Sequence, residues 1–86
     1  MPVISFFYGI IIRMNFNDHA PPHFHAEYQG HQAAYEISKC SCVAGELPKS
    51  ADHLIRRWCK IHRKELVDNW NKARKGEPLN RLPGIE

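Results

Sequence analysis

The chain has 86 residues, of which 43% are hydrophobic and 24% charged, and its net charge is +3. This length allows one domain with a small core, and the composition is typical of a globular protein rather than a disordered one. The apolar N-terminus lacks the basic start of a signal peptide and reaches Arg13 too early for a membrane span. Three cysteines cannot form a fully paired disulfide framework. We therefore expect a cytoplasmic protein without a membrane segment.

The positive charge is concentrated in one segment. Residues 1–48 contain two basic and four acidic residues, a net charge of −2, whereas residues 52–75 contain eight basic and three acidic residues, a net charge of +5. Such a segment is either a solvated helix face or a surface for an acidic partner.

The first half of the sequence predicts β-strands. Gly9 and Gly30 supply tight reversals, and Pro21 and Pro22 exclude the intervening loop from a strand ladder. Segments rich in β-branched and aromatic residues lie between these breaks, at residues 3–7, 10–16, 24–29 and 32–38. The pattern predicts a four-stranded antiparallel β-meander.

The second half of the sequence predicts one long amphipathic helix, either straight or kinked. Ser50 is the expected N-cap, and Gly76 is the expected residue after the C-cap. Apolar side chains share one broad arc: Leu54, Ile55, Trp58, Cys59, Ile61, Leu66, Trp70 and Ala73. The predicted fold is therefore α+β, a single β4-α domain over residues 1–76 with the helix on one sheet face. Residues 77–86 are expected to form an irregular, loosely packed tail.

The segment DHAPPHFHAEY, residues 18–28, is the first candidate site. His23 and His25 are two residues apart and project from the same face of a strand. With His19 and Glu27 they offer up to four donors for a divalent transition metal such as zinc or nickel. The metal interpretation therefore has the ligand set His19, His23, His25 and Glu27.

Metal-free acid–base catalysis is the second interpretation. Imidazole titrates near neutral pH, so His23 and His25 could act as base and acid in RNA cleavage, as in a ribonuclease-type hydrolase. His19 or His62 would assist. Asp18 or Glu65 would orient an imidazole.

A purely structural role for the segment is the third interpretation. Pro21 and Pro22 fix a turn, and the imidazoles then form only local hydrogen bonds. Strand alternation adds a constraint, because His23 and His25 face away from a helix that packs on Phe24. His62 would then reach them only around a sheet edge or from a second subunit.

Basic residues lie on the side of the predicted helix opposite its apolar arc. They are either solvated or contact the phosphates of RNA. We call this group the basic stripe; it consists of Arg56, Lys60, Arg63 and Lys64.

The chain resembles a bacterial family, domain of unknown function 4160, from residue 1 to about residue 76. The resemblance rests on GIIIRMNFNDHAPPHFHAEYQG, GELP and HRKELVDNW, in that order. The family signature corresponds here to Asp18, His19, Pro21, Pro22, His23, His25, His62, Glu65, Leu66 and Trp70. The resemblance implies a toxin-like member of a two-gene toxin–antitoxin-type module, with a small cognate protein encoded by a neighbouring gene as its partner.

Our leading hypothesis is a toxin-like protein that acts on RNA through the histidines. The alternative is a non-catalytic module that binds a metal or a protein partner. A homodimer fits either hypothesis, because it would bury the second face of the sheet.

Overall fold

A computed structural model describes residues 1–85 and has α+β architecture. The elements in chain order are β1 Val3–Phe7, β2 Ile10–Arg13, β3 His23–Tyr28, β4 His31–Glu36, β5 Ser41–Gly45, α1 Lys49–Ile61 and α2 Arg63–Arg74. The strands form one antiparallel sheet in the order β1-β2-β3-β4-β5. The α+β class and the antiparallel meander are confirmed. Within residues 1–85, no helix has both the length and the apolar character needed to cross a membrane.

Two-residue turns fix the register of the first four strands. Tyr8 and Gly9 have φ angles of 49° and 78°, and Gln29 and Gly30 have φ angles of 47° and 81°. Two successive positive φ angles are typical of the type I′ hairpin turn, whose twist matches that of the strands. The predicted reversals at Gly9 and Gly30 are therefore present.

The predicted number of four strands is wrong, because β5 adds a fifth at the edge of the sheet. It pairs with β4, with Ala34 opposite Ala44 and a register shift beside this pair. Its sequence, SCVAG, consists of small residues, and Val43 is 54% exposed. An edge strand that is largely open to solvent has no apolar–polar alternation for a sequence pattern to detect.

The predicted single helix is also wrong, because His62 separates α1 from α2 with φ −108° and ψ 20°. Hydrogen bonds nevertheless continue across the break: His62 N–H donates to the Trp58 carbonyl at 3.0 Å, and Leu66 N–H donates to the His62 carbonyl at 2.9 Å. Ile61, expected on the apolar arc, is 62% exposed. The buried residues nevertheless keep one helical spacing across the break, and Ile61 lies outside their arc; they are Ile55, Trp58, His62, Leu66, Asn69 and Ala73.

Of the two predicted helix ends, only the C-terminal one is confirmed. Helix α1 begins directly after Pro48, so Ser50 lies inside the first turn and is not the N-cap. At the other end, Gly76 has φ 71° and its N–H donates to the Ala73 carbonyl at 3.2 Å. The N–H of Glu77 donates to the Lys72 carbonyl at 2.9 Å, which completes a Schellman motif around the predicted glycine.

The core lies between the helices and one face of the sheet, which we call the inner face. Trp58 is fully buried, and its ring centroid lies 5.4 Å from that of Phe7 and 5.5 Å from that of Phe24. Phe24 stacks on Tyr35 at 5.5 Å. The opposite side of the sheet, the outer face, carries His23, His25 and Glu27, as strand alternation predicted.

The C-terminal segment is irregular, as predicted, but it is not loosely packed. Leu82 and Ile85 are buried, and Leu82 N–H donates to the Ile4 carbonyl at 2.7 Å. The Trp58 indole donates to the Pro83 carbonyl at 2.8 Å. The segment covers the β1 side of the core, and its polar backbone is satisfied by partners distant in sequence.

Candidate functional site

The loop between β2 and β3 is held at one end of the sheet through its carbonyl groups. Prolines supply no backbone donors, so the loop contributes acceptors instead. The Pro22 carbonyl accepts the Ile37 N–H at 3.0 Å, and the Pro21 carbonyl accepts the Nδ1–H of His23 at 2.8 Å. The Ala20–Pro21 peptide bond is cis. In this arrangement Asp18 lies against the first residues of β3.

Asp18, His23 and His25 form a cluster on the outer face, which we call the Asp-His-His cluster. The Nε2 atom of His25 lies 3.0 Å from Oδ2 of Asp18, and the Nε2 atom of His23 lies 3.2 Å from the same oxygen. The two imidazole rings meet edge to face, 5.1 Å apart. Within residues 1–85, no other three ligand atoms from His, Cys, Asp or Glu lie within 4.8 Å of one another.

The cluster is partly buried and open to solvent. Its three side chains are between 17% and 32% exposed. A small molecule or ion can therefore reach the ligand atoms without unfolding of the loop, while the surrounding protein holds the side chains in place.

The contacts of His23 determine which of its nitrogens carries a proton. Nδ1 faces the Pro21 carbonyl, which only accepts, so Nδ1 is the donor. In a neutral ring, Nε2 would then present its lone pair to the Asp18 carboxylate. That contact is favourable only when a cation, either a proton or a metal ion, lies between the two atoms. The carboxylate oxygen and the two ring nitrogens thus leave between them a space that a shared proton or a metal ion can occupy.

The pKa of Asp18 lies below its usual value of 3.8. Partial burial raises this pKa, but hydrogen bonds from His25 and Asn15 and the charges of His23 and His25 outweigh that effect. Asn15 also lies beside His25, with its Nδ2 atom 3.4 Å from Nε2. The carboxylate is thus ionised at neutral pH, which is the form that ligates metals and accepts hydrogen bonds.

Two predicted metal ligands lie outside the cluster. His19 is exposed in the loop, and the Glu27 carboxylate lies 3.8 Å from Nε of Arg13 on the neighbouring strand. Residues two apart on a strand are separated by about 6.6 Å, and the side chain of Glu27 turns toward Arg13 rather than toward His25. The group that the structure brings together has Asp18 where the sequence analysis expected His19 and Glu27.

His62 and Glu65 form a separate pair in the helices. Nδ1 of His62 lies 3.2 Å from the Glu65 carboxylate, and the His62 ring lies 5.5 Å from Trp58 in the core. The helices contact the cluster eight residues later, where Trp70 lies 5.3 Å from the His23 ring. Eight residues correspond to about 12 Å of helix. The structure therefore does not bring His62 or Glu65 to the Asp-His-His cluster.

The basic stripe lies on the solvent side of the helices. Arg56 is paired with Asp52 at 2.9 Å, and Nε of Arg63 donates to the Ile37 carbonyl at 3.3 Å. The helices pack between the stripe and the inner face, while the cluster is on the outer face. Among residues 1–85, no hydrogen bond or ion pair joins the stripe to the cluster.

Two pockets border the cluster. One has a volume of about 250 Å³ and lies beside His25 on the outer face; its lining includes Arg13, Glu27, Ala34, Ala44 and Gly45. The other has a volume of about 200 Å³ and is lined by Phe16, Asn17, Asp18 and Arg74. The first is mainly apolar and the second mainly polar.

The sequence did not predict that residues of α2 lie beside the cluster. Trp70 was assigned to the core, where it is indeed buried, but its ring also contacts His23. Arg74 was considered only as part of the positive charge of residues 52–75. The i, i+4 spacing of these two residues places them on one helix face, but no sequence signal indicated that this face meets the loop.

The chain matches a known protein family over a range that includes the cluster. A family model described as Domain of unknown function (DUF4160) matches residues 9–71. This range contains the cluster, the strand residues of the first pocket, the loop residues of the second and most of α2, but not Arg74. Comparisons with curated proteins and with solved structures give no match.

Proposed function

The chain belongs to the DUF4160 family, a domain of unknown function, and from the geometry of the Asp-His-His cluster we propose that it is a divalent-metal-binding protein. One observation carries the proposal: two Nε2 atoms converge on a single carboxylate oxygen, while the other nitrogen of His23 is committed to a carbonyl. This is the arrangement of three protein ligands around one ion.

Two of the three ligand separations fit a bound ion directly, and all three ligand atoms lie within 4.8 Å of one another. Ligand bonds of 2.0–2.2 Å separate neighbouring ligand atoms by about 2.8–3.6 Å, from octahedral to tetrahedral geometry. The observed separations from Asp18 Oδ2 are 3.0 Å to His25 and 3.2 Å to His23. The ion would lie between the three atoms.

The surrounding contacts also support a metal site. Metal-ligating histidines usually donate their other N–H to a carbonyl or carboxylate, which fixes the ring, and His23 does this with Pro21. Two imidazoles and a carboxylate suit zinc or nickel. Three protein ligands leave coordination positions open for water or a substrate, and such an ion acts as a Lewis acid.

Calorimetric titration of untagged, chelator-treated protein with Zn²⁺ and Ni²⁺ tests the proposal. We expect one ion per chain. Asp18→Asn and His23→Ala should each weaken binding by at least the roughly 10–100-fold that loss of a supporting contact costs, because they remove a ligand itself. His19→Ala is the matched control and should bind like the wild type. Equal binding by all four proteins would contradict the proposed site.

The second candidate function is the RNA-directed, toxin-like activity with His23 and His25 as acid and base. The pairing of His25 with Asp18 at 3.0 Å favours it, because a carboxylate that orients an imidazole is typical of acid–base catalysis. Under this second candidate function the cluster works without a metal ion, and the protein is a ribonuclease-type hydrolase.

Induced expression distinguishes the two candidates. The second predicts that the wild type arrests growth and degrades total RNA, that a folded His23→Ala/His25→Ala variant does neither, and that a chelator does not inhibit RNA cleavage by the purified protein. Inhibition by the chelator, reversed by Zn²⁺, would instead assign the activity to the metal form.

The proposal retains the cellular setting that the resemblance implies. The protein would act in the cytoplasm as one member of a two-gene module and would bind a small cognate protein. Phe6 is 59% exposed on the outer face, which supports burial of this face in a homodimer. Light scattering at increasing protein concentration tests the dimer.

A further inference from the structure

The polar pocket beside Asp18 combines a metal ligand with an arginine. Asp18 is shared between the Asp-His-His cluster and this pocket of about 200 Å³, and Arg74 forms part of the lining. Among residues 1–85, no carboxylate oxygen lies within 4.0 Å of a charged nitrogen of Arg74. The guanidinium is therefore available to a ligand that enters the pocket.

The position of Arg74 is set by contacts within the fold. Trp70 lies one helical turn earlier and is held against His23, with 5.3 Å between ring centroids. The Schellman motif ends the helix immediately after Arg74, with hydrogen bonds of 3.2 Å from Gly76 and 2.9 Å from Glu77. The last turn of α2 thus presents Arg74 beside the cluster instead of extending past it.

The charges favour an anion in this pocket once a metal is bound. The ionised Asp18 carries −1, a divalent ion carries +2, and Arg74 carries +1, so the local charge is +2. An anion can occupy an open position of the ion and accept hydrogen bonds from the guanidinium. The planar, fork-like guanidinium matches two oxygens of a phosphate group.

The apolar pocket on the other side of the cluster has room for the rest of such a ligand. His25 is part of its lining, and its volume is about 250 Å³. Ala34 and Ala44 face each other across β4 and β5 on the outer face and form a flat, apolar surface there. Pockets that bind organic groups usually combine apolar walls with a few polar residues, and the polar residues here are Arg13, His25, Glu27 and Gln32.

From this juxtaposition we propose that the site takes a phosphoester, with its phosphoryl group between the metal and Arg74 and its organic group on the Ala34–Ala44 surface. The inference rests on the proposed metal function and specifies the class of ligand. Arg74 binds and positions the phosphoryl group, and the alanine surface selects for the organic part.

Titration of the zinc-loaded protein with inorganic phosphate and with adenosine 5′-monophosphate tests the inference. Arg74→Gln should retain one zinc per chain and bind phosphate about tenfold or more weakly, the effect of losing charge-assisted hydrogen bonds. Arg74→Lys should be intermediate, because it keeps the charge and loses the fork. Lys75→Gln, which removes the adjacent exposed charge, is the control and should bind phosphate like the wild type.

A second variant tests the apolar pocket independently. Ala44→Leu fills the surface beside Ala34 and should weaken binding of adenosine 5′-monophosphate while leaving inorganic phosphate unaffected. Equal affinity of Ala44→Leu and wild type for the nucleotide would overturn the placement of the organic group.

The outcomes separate this inference from the proposed metal function. Phosphate affinity that is the same in Arg74→Gln and Lys75→Gln overturns the inference, whether or not zinc binds. If zinc does not bind the wild type, but phosphate binds and depends on Arg74, the metal function fails and the phosphate site stands. Zinc binding together with Arg74-dependent phosphate binding supports both.

Discussion

Replacement of Asn69 by alanine should release the C-terminal segment from the core. Asn69 is fully buried, and its side chain forms two hydrogen bonds to the backbone of Asn80: Nδ2 donates to the carbonyl at 2.9 Å, and Oδ1 accepts the N–H at 2.9 Å. Each such bond contributes about 1 kcal/mol net, and a buried group left without its partner costs somewhat more. We expect Asn69→Ala to lower the free energy of unfolding by about 2–3 kcal/mol.

Thermal unfolding monitored by circular dichroism measures this effect. For a domain of this size, about 1 kcal/mol lowers Tm by roughly 4–8 °C, so the expected decrease is roughly 8–24 °C. Asn71→Ala is the matched control, because Asn71 is exposed on the same helix and the substitution changes helix propensity equally. A decrease no larger than that of Asn71→Ala would refute our account of how the segment is attached.

Two further substitutions test the packing of the sheet. Burial and the hydrogen bond to Asp52 raise the pKa of Tyr35, so the folded state keeps a proton that the unfolded state loses above about pH 10. The stability of the wild type should fall there by up to about 1.4 kcal/mol per pH unit, and this slope should be smaller in Tyr35→Phe. Gly45→Ala places a Cβ 2.2 Å from the Gln32 carbonyl oxygen and should destabilise far more than Gly30→Ala, which meets nothing within 4 Å. Similar alkaline slopes for wild type and Tyr35→Phe, or similar losses for the two glycine variants, would contradict these contacts.

The parts of the fold that local rules determine could be predicted from the sequence. Alternation placed Ile12 and Phe24 in the core and His23 and His25 on the outer face, and glycines marked the hairpin turns. The fifth strand and the helix break could not be predicted. An exposed edge strand lacks alternation, and His62 is polar in a position that one continuous helix would also bury.

The candidate site could be predicted only in part, because its geometry depends on contacts distant in sequence. The two-residue spacing of His23 and His25 on a strand predicted that they lie side by side. The choice of Asp18 as their partner depends on how the loop is anchored by the Ile37 N–H, and the polar pocket depends on where α2 ends, at Arg74. Neither the anchoring of the loop by Ile37 nor the position of the end of α2 beside Asp18 is encoded in a local sequence pattern.

A crystal structure of the zinc-loaded protein, with anomalous data at the zinc absorption edge, tests the central claim most directly. We predict one anomalous peak, within about 2.0–2.2 Å of Nε2 of His23, Nε2 of His25 and a carboxylate oxygen of Asp18. A cluster without a peak, in crystals grown with excess Zn²⁺ at neutral pH, or a peak ligated by His19 or His62 instead, would contradict the proposal.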